Sequence, residues 1–320
     1  MERTNAEPTF VDAMTAELGG PRTGELLDQL NGAVDWDALA AAVRELPMYQ
    51  NSGAGRRPWD AVVMIKCLML QRWFSLSDPQ LEEQSRDRLS FRRFLGLSLM
   101  DDTPDETSFV RFRDRLREAK LEKRLFTDVL DQLSERGLRV KEGTIVDATV
   151  ICQSRGRKRK DGTSTRDTEA SYTKKHGQIM HGYKAHVASS LNGIITDCDM
   201  TTAKVHDGQV IDELIGDEHA AVIADRAYDD AARRQRLREH GVIDGIIYKR
   251  KRGQKALWPW QKRWNQLVSK LRGIGERPFA VFKHQMGWRS VRYRGLSKNR
   301  SDLFLHAAAY NIRHALCLIG

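Results

Sequence analysis

Three carboxylates stand out in this chain because each lies beside residues that could put a charge to use. Asp147 sits in the middle of an apolar, β-branched run, and Asp225 ends a second short apolar run. Glu276 lies between Arg272 and Lys283. Carboxylate oxygens are the ligands that Mg²⁺ and Mn²⁺ prefer in proteins. Two such ions about 3.5–4 Å apart can activate a water or a 3′-hydroxyl and stabilise the leaving oxygen of a phosphodiester.

A metal ion is only one of the partners that could satisfy these acids. An ionised carboxylate in a buried strand is costly unless something positive meets it. A salt bridge or a hydrogen-bond network would satisfy Asp147 as well as a metal ion would. Because the chain contains 43 acidic residues, it offers many triples of acids. The three positions alone are therefore a weak indication of a metal site.

The elements that must position the first two acids follow an α/β pattern. The run 143–151 predicts a strand buried on both faces, and the strand-like segments 179–188 and 193–200 are joined by an Asn-Gly pair, which is a strong hairpin signal. From 220 to 248 the order is strand, helix, strand, which indicates parallel pairing. Asp225 then lies at the carboxyl end of its strand, where open α/β sheets place their sites.

The third acid belongs to a helical stretch. On a helix, Arg272, Glu276 and Lys283 fall within about 40° of one another, which places an acid between two bases on one face. Such a helix is weakened by two glycines and one proline, Gly273, Gly275 and Pro278. A separate helix over 276–286, with the proline in its first turn, is therefore left open.

The region 59–140 is predicted to be helical and to bind DNA. Its apolar residues follow the i, i+3, i+4 spacing of helices, and Ser77 or Asp78 can cap a helix with Pro79 in the first turn. A later stretch, 109–119, is amphipathic and strongly basic, and it follows a turn at Pro104. This order is typical of a helix-turn-helix-like element with 109–119 as its recognition helix.

Two arginines of that basic helix, Arg111 and Arg113, are its candidate DNA contacts. Alternate residues of a helix lie about 200° apart, so its arginines cannot all share one face. The competing interpretation is a solvated helix whose arginines pair with Asp114 and Glu118. Both interpretations stay open on the sequence.

Further basic segments flank the predicted strands. The loop 155–166 is poor in apolar residues, and its candidate contacts to the phosphate backbone are Arg157 and Lys158. The segment 249–265 combines basic residues with tryptophans, a composition that suits charge neutralisation with base or sugar stacking. Its candidates are Arg250, Lys251, Trp258 and Trp260. The alternatives are a solvated loop and a few packed aromatic side chains.

Two more residues belong to the surroundings of the predicted site. Lys184 lies in the predicted hairpin beside the acids, which indicates contact with a DNA phosphate. Asp207 begins a predicted helix over 207–215, where it serves either as the N-cap or as a residue close to the metal ions.

The composition narrows the partners and the compartment. The chain has 320 residues and a net charge of +10, so nucleic acid is the first partner to consider and an anionic membrane the second. No apolar segment approaches the roughly 20 residues that span a bilayer, and the first residues lack the apolar core of a signal peptide. The four cysteines lie far apart, which favours a reduced, cytoplasmic protein.

Several stretches together match a known pattern. They are 77–83, 88–97, 104–113, 146–149, 182–186, 203–207, 224–228 and 272–283. In this combination the chain resembles the DDE transposases of bacterial insertion sequences, in particular the insertion-sequence-five family. The order Arg272-x₃-Glu276-x₆-Lys283 is similar to the family's Tyr-x₂-Arg-x₃-Glu-x₆-Lys signature, with Ser269 at the tyrosine position.

The resemblance implies a ribonuclease-H-like, retroviral-integrase-like α/β catalytic domain over 141–320, preceded by an N-terminal segment and linker over 1–58 and the helical region over 59–140. It implies that Asp147, Asp225 and Glu276 hold two Mg²⁺ ions, for which Mn²⁺ can substitute. Double-stranded DNA, both transposon ends and target, is the expected partner, and a homodimer is expected in the DNA complex. The expected location is the bacterial cytoplasm, at the nucleoid.

The resemblance leaves three functions to separate. The first is a transposase that cleaves DNA at the terminal inverted repeats and transfers the strands. The second is a catalytically inactive or domesticated DNA-binding derivative. The third is a related metal-dependent nuclease that cuts without strand transfer. All three predict salt-sensitive DNA binding, but only the two enzymes require the acids.

Overall fold

A computed structural model describes residues 22–50, 57–140, 142–157, 160–161, 164–175, 177–215 and 220–319. The chain divides into two compact units. One comprises the described residues up to Glu135 together with those from Asn311 onward, and the other extends from Arg136 to Tyr310. The first unit is helical and the second is mixed α/β. The mixed α/β class and the helical N-terminal region agree with the sequence-based prediction.

The described helices that lie entirely in the first unit are α1 (Arg22–Gly32), α2 (Trp36–Arg44), α3 (Pro47–Gln50), α4 (Ala61–Trp73), α5 (Asp78–Asp87), α6 (Leu89–Leu95), α7 (Glu106–Glu118) and α8 (Leu121–Glu135). The predicted cap of α5 is confirmed: the Ser77 hydroxyl accepts from the Gln80 amide, and the Gln80 side chain accepts from the Ser77 amide. The predicted basic helix is α7, which begins after the N-cap Asp105.

The elements of the second unit, in chain order, are β1 (Thr144–Cys152), β2 (Ser171–Lys175), β3 (Gln178–Ser190), β4 (Ile195–Thr202), a 3₁₀ turn (Asp207–Gln209), α9 (Ile211–Leu214), β5 (Ala221–Ala224), a 3₁₀ turn (Arg226–Tyr228), α10 (Ala231–Glu239), β6 (Ile243–Ile246), α11 (Pro259–Ala280), a π-helical turn (Val281–Gln285) and α12 (Leu296–Ile319), whose residues up to Tyr310 belong to this unit.

The described strands form one sheet in which β1 lies between an antiparallel and a parallel neighbour. The order is β2-β3-β1-β5-β6, and β4 also pairs with β3. The β3–β4 pair is antiparallel, which confirms the hairpin predicted from the Asn-Gly pair. The β5–β6 pair is parallel, as the strand-helix-strand pattern predicted, and the β1–β5 pair is parallel as well.

Three details differ from the sequence-based expectations. Strand β2 lies in a charged stretch for which the hydrophobic pattern predicted no strand. The predicted helix over 207–215 is divided into a 3₁₀ turn and the short α9. A separate helix over 276–286 does not form, because α11 continues through Pro278 to Ala280 and then changes to a π-helical turn.

Alternate residues of β1 and β5 separate the core into two layers, since successive side chains of a strand point to opposite faces. Ile145 and Ile223 pack with Val268 of α11 on what we call the α11 face of the sheet. Val146 and Ala224 pack on the other side, here called the opposite face, in a cluster that extends to α9 and α10. The position of any other residue in β1 or β5 therefore shows whether its side chain points to the α11 face or to the opposite face.

Candidate active site

Asp147 and Asp225 occupy neighbouring positions on two parallel strands. The register pairs Val146 with Ala224, so the next position along β1 holds Asp147 and the residue after β5 is Asp225. Adjacent strands lie about 4.8 Å apart. Both acids have the parity of Ile145, and they therefore extend toward the α11 face. The two predicted strands thus bring the two acids side by side.

Local backbone contacts orient both carboxylates. Asp147 Oδ1 accepts a hydrogen bond from the Ala148 amide at 2.9 Å. Asp225 Oδ1 accepts from the Arg226 amide at 2.7 Å and caps the 3₁₀ turn that follows β5. Both side chains are only partly buried, so oxygen atoms remain close to solvent. Because a backbone amide already fixes its orientation, each of these carboxylates can bind a cation without having to reorient.

Glu276 reaches the same face because α11 passes very close to β1. Gly275 is buried, and a Cβ atom at that position would lie 2.5 Å from Ile145 Cγ2. Only a glycine therefore permits this approach. Glu276 is the next residue of the helix, so its side chain extends from an element that touches the strand bearing Asp147. The packing of a small residue, and not helix propensity, sets the position of the third acid.

Arg272 joins two of the three acids. Its Nη1 lies 3.3 Å from Asp225 Oδ1, and its Nη2 lies 3.3 Å from Glu276 Oε1. The guanidinium is largely buried, with 21 % of the side chain exposed, whereas 63 % of the Glu276 side chain is exposed. Asp225 and Glu276 are therefore close enough to share one cation.

Lys283 fixes the end of this helical segment to β1. Its ammonium donates to Thr149 Oγ1 at 2.5 Å. Thr149 lies two positions beyond Asp147 and so on the same face of the strand. The structure thus gathers on one face the three predicted catalytic acids, Asp147, Asp225 and Glu276, and two of the predicted DNA contacts, Arg272 and Lys283.

The donor atoms fit a divalent metal ion in their chemistry. All three acids supply hard oxygen ligands, as Mg²⁺ and Mn²⁺ require, and two of them share a positive charge. As they stand, the described His, Cys, Asp and Glu side chains include no group of three arranged to hold a metal ion. The acids that would hold such an ion are Asp147, Asp225 and Glu276.

Lys184 and Asp207 form an ion pair on the opposite face. Lys184 pairs across the sheet with Val150, which has the other parity from Asp147. Its ammonium lies 2.6 Å from Asp207 Oδ1 and donates to the Val205 carbonyl at 2.5 Å. The predicted N-cap role of Asp207 is wrong, because the His206 side chain caps the turn. We therefore do not retain Lys184 as a DNA contact.

Tyr228 is a residue of this region that the sequence-based reasoning missed. Its side chain is 1 % exposed, and its hydroxyl has no hydrogen-bond partner in the part of the chain that the structure describes. Burial raises the pKa of the phenol, and the charges of Asp207, Asp147 and Asp225 raise it further. Carboxylates on both faces of the sheet thus raise the pKa of this one phenol. The spacing Asp225-x₂-Tyr228 was the available signal.

The basic segment after β6 is exposed at its tip and anchored at its base. Trp258 and Trp260 are 63 % and 57 % exposed, and Arg250 and Lys251 are exposed as well. Trp260 packs edge-on against Tyr248, whose backbone exchanges two hydrogen bonds with the Asn265 side chain. In the loop 155–166, Arg157 is exposed, and Lys158 lies outside the described residues.

In the helical unit, the structure separates the arginines of α7. Arg113 is buried and forms two hydrogen bonds of 2.7 Å with the Asp78 carboxylate. Burial alone would raise the pKa of Asp78, but the hydrogen bonds and charge of Arg113 bring this pKa below its usual value. Arg113 holds α7 to α5, and we do not retain it as a DNA contact. Arg111, in contrast, is exposed.

Comparison with known families agrees with this geometry. Residues 20–115 match the model described as a transposase domain of the DUF772 type, and residues 138–312 match that of the transposase DDE domain. No solved structure matches the chain. In the described part of the chain, no helix combines the length and apolar character needed to cross a membrane.

The match to the transposase DDE domain covers more than half of the chain. The chain is a member of the DDE transposase family. Members of this family are metal-dependent enzymes that transfer phosphoryl groups on DNA, and membership implies a ribonuclease-H-like α/β fold.

Proposed function

We propose that this protein is the transposase of a bacterial insertion sequence of the insertion-sequence-five family. It binds the terminal inverted repeats of its element, cleaves the DNA strands there and joins the 3′ ends to target DNA. The observation that supports this proposal is the placement of Asp147 and Asp225 side by side, with Glu276 bound to the same arginine as Asp225. Scattered acids would have no reason to converge in this way.

Asp147, Asp225 and Glu276 are the proposed catalytic residues and would hold two Mg²⁺ ions, or Mn²⁺ in their place. When bound, these ions activate the attacking water or 3′-hydroxyl and stabilise the leaving oxygen of the phosphodiester. The chain itself contributes the orientation. The Ala148 and Arg226 amides fix the two aspartates, and the close packing at Gly275 fixes the helix that bears the third acid.

Arg272 and Lys283 are the proposed phosphate-positioning residues of the catalytic face. Arg272 holds Asp225 and Glu276, and its planar fork suits an oxyanion equally well. A DNA phosphate that enters next to the acids brings a negative charge into reach of this guanidinium. Lys283 supplies a second cation at the end of the same helical segment.

The remaining proposed DNA contacts are the exposed basic and aromatic side chains. They are Arg111, Arg157, Lys158, Arg250, Lys251, Trp258 and Trp260. The cations neutralise backbone phosphates, and the two tryptophans stack on bases or sugars. We assign 59–140 to DNA binding and 141–320 to catalysis, with 1–58 as an N-terminal segment and linker. The protein would act at the nucleoid of a bacterial cell.

A homodimer in the DNA complex is part of the proposal, because the two ends of an element must be held together before they are joined to one target. The dimer is expected only with DNA bound. Size-exclusion chromatography with light scattering, with and without a duplex bearing an end, measures this. A complex with one protomer per pair of ends would contradict it.

The test of the proposed function is a cleavage and joining assay with Mg²⁺. The substrate is a duplex that carries the sequences flanking the coding region in its genome, and Asp147→Ala is the control variant. The wild-type protein should release 3′ ends and join them to a target plasmid, and the variant should do neither. Equal cleavage by the variant contradicts the assignment of Asp147, and cleavage without joined product favours a nuclease.

A further inference from the structure

The helical unit contains a basic cavity whose lining includes Arg111, one of the proposed DNA contacts. Its volume is about 150 Å³. Its polar lining consists of Arg57, Ser108, Arg111 and Arg115, and its apolar and aromatic lining of Met48, Pro58, Trp59, Met64 and Phe112. Three arginines thus line one small cavity whose lining contains no carboxylate.

The geometry of α7 explains how two of these arginines meet. Ser108, Arg111 and Arg115 follow the i, i+3, i+7 spacing, so they share one face of the helix. Arg113 lies on another face and pairs with Asp78, and Arg117 pairs with Asp114 at 2.8 Å. Arg113 and Arg117 of α7 thus have acidic partners, whereas Arg111 and Arg115 line the cavity.

The cavity arginines have no acidic partner in the described part of the chain. Arg115 Nη1 donates to Met48 Sδ at 3.0 Å, and a thioether is a weak acceptor. Positive charges four positions apart on a helix repel each other, and Arg57 adds a third charge from the segment before α4. The three side chains are exposed, so this repulsion is small, and a bound anion would relieve it.

We propose that this cavity binds a single phosphate of the DNA backbone, shared among Arg57, Arg111 and Arg115. The volume suits a phosphate group, guanidinium forks match its oxygens, and Ser108 adds a hydroxyl donor. Trp59 forms an aromatic wall beside the bound group. The inference rests on the proposed function only in taking DNA as the ligand, and it predicts one shared contact instead of three separate ones.

The salt dependence of DNA binding distinguishes these cases. The probe is a 30-base-pair duplex of mixed sequence, with affinity measured by fluorescence anisotropy from low to moderate KCl. Each phosphate contact contributes about 0.9 to the slope of log K against log salt. The double variant Arg111→Ala/Arg115→Ala should therefore lower the slope by about 0.9, the value for one phosphate.

A matched control removes the same charge from arginines that already have partners. Arg117 pairs with Asp114 on α7, and Arg124 pairs with Asp128 on α8. The double variant Arg117→Ala/Arg124→Ala should keep a slope close to that of the wild-type protein. Circular dichroism melting of all variants verifies that the helical unit stays folded, and the exposed positions of Arg111 and Arg115 favour this.

Three outcomes overturn the proposal. The slope for the cavity variant could equal that of the control, or it could fall by about 1.8, which means that two separate phosphates are contacted. The third outcome is a wild-type protein that does not bind the duplex. The failure of the proposed function is distinguishable. Absence of Mg²⁺-dependent cleavage with a slope that falls as expected leaves the cavity assignment intact and removes the catalytic one.

Discussion

The two faces of the central sheet each bring an acid together with a cation, but in opposite ways. On the α11 face, Arg272 joins Asp225 and Glu276, and the three side chains are 21 %, 36 % and 63 % exposed, respectively. On the opposite face, Lys184 and Asp207 form a pair whose side chains are 12 % and 27 % exposed. The first arrangement opens to solvent and the second is closed by packing.

The two faces of β1 therefore have different roles: we expect changes on the open face to affect activity and changes on the opposite face to affect stability. Successive residues of β1 point to the two faces, so Asp147 belongs to the open arrangement and its neighbour Ala148 to the closed one. Arg272 can exchange Glu276 for a phosphate at little cost, because the Glu276 side chain is exposed and exposed ion pairs contribute roughly 0–1 kcal/mol. A closed pair is costly to break, because one charge is left buried.

The largest expected effect belongs to the open face. Glu276→Gln removes one proposed metal ligand while keeping the shape of the side chain. Loss of the charge stabilisation that a bound ion supplies is worth several kcal/mol, so cleavage should fall by on the order of 10³-fold. The thermal midpoint should hardly change, because this side chain is exposed.

The cleavage assay and a calorimetric melt of the same preparation check both parts. Glu213→Gln, an exposed acid of the opposite layer, is the matched control and should retain activity. A large loss of stability in Glu276→Gln, or full activity, would show that the open face is structural.

The next effect concerns His186 on the opposite face, where stability should depend on pH. Burial lowers the pKa of this imidazole from 6.5 to about 4, and Lys184 adds to the lowering while Asp207 opposes it. The unfolded chain therefore takes up a proton near pH 6.5, whereas the folded protein does so only near pH 4. The free energy of unfolding should fall across this window, by up to about 3 kcal/mol from this group.

Urea unfolding at several pH values, with His186→Gln as the reference, isolates this contribution. The variant lacks the titrating group, so the difference in stability between it and the wild-type protein should shrink as pH falls from about 7 to about 4.5, the range between the two pKa values. A difference that is constant with pH would mean that folding does not shift the pKa of this imidazole.

The third effect tests the closed ion pair directly. Lys184→Met leaves the Asp207 carboxylate without its cation in a largely closed environment. Because Asp207 is 27 % exposed, the expected loss is below the full value for a buried pair, at about 2–3 kcal/mol of unfolding free energy. The exposed Lys204 provides the control, and Lys204→Met should change stability little. Unchanged stability in Lys184→Met would return this lysine to the candidates for DNA contact.

The strands that carry two of the acids could be predicted from the sequence, because their signals are local. An apolar run marked β1, and an Asn-Gly pair marked the β3–β4 turn, where Gly193 has a φ of +90°. The capping box at Ser77 is likewise a signal within four residues. In each case neighbouring residues alone specify the geometry.

The ion pairs could not be predicted, because their partners are distant in sequence. Lys184 meets Asp207 across a hairpin, and Arg113 meets Asp78 from another helix. Sequence spacing offered several carboxylates for each cation, and only the packed elements select one. The same holds for α11, whose glycines and proline suggested a break. Tertiary packing against β1 keeps the helix continuous through Pro278.

The smallest effect tests that packing, with two glycines of α11 whose surroundings differ. A Cβ at Gly275 would lie 2.5 Å from Ile145 Cγ2, whereas a Cβ at Gly273 would meet nothing within 4 Å. Gly275→Ala should therefore cost about 1–3 kcal/mol of unfolding free energy through overpacking. Gly273→Ala should instead gain up to about 1 kcal/mol, because alanine favours the helix. Urea unfolding measures both.

Because α11 must move away from β1 to admit the methyl group, Gly275→Ala should also lower cleavage by displacing Glu276 from the two aspartates. Equal stabilities for the two variants would mean that α11 does not rest on Ile145, and the third acid would then lose the contact that positions it.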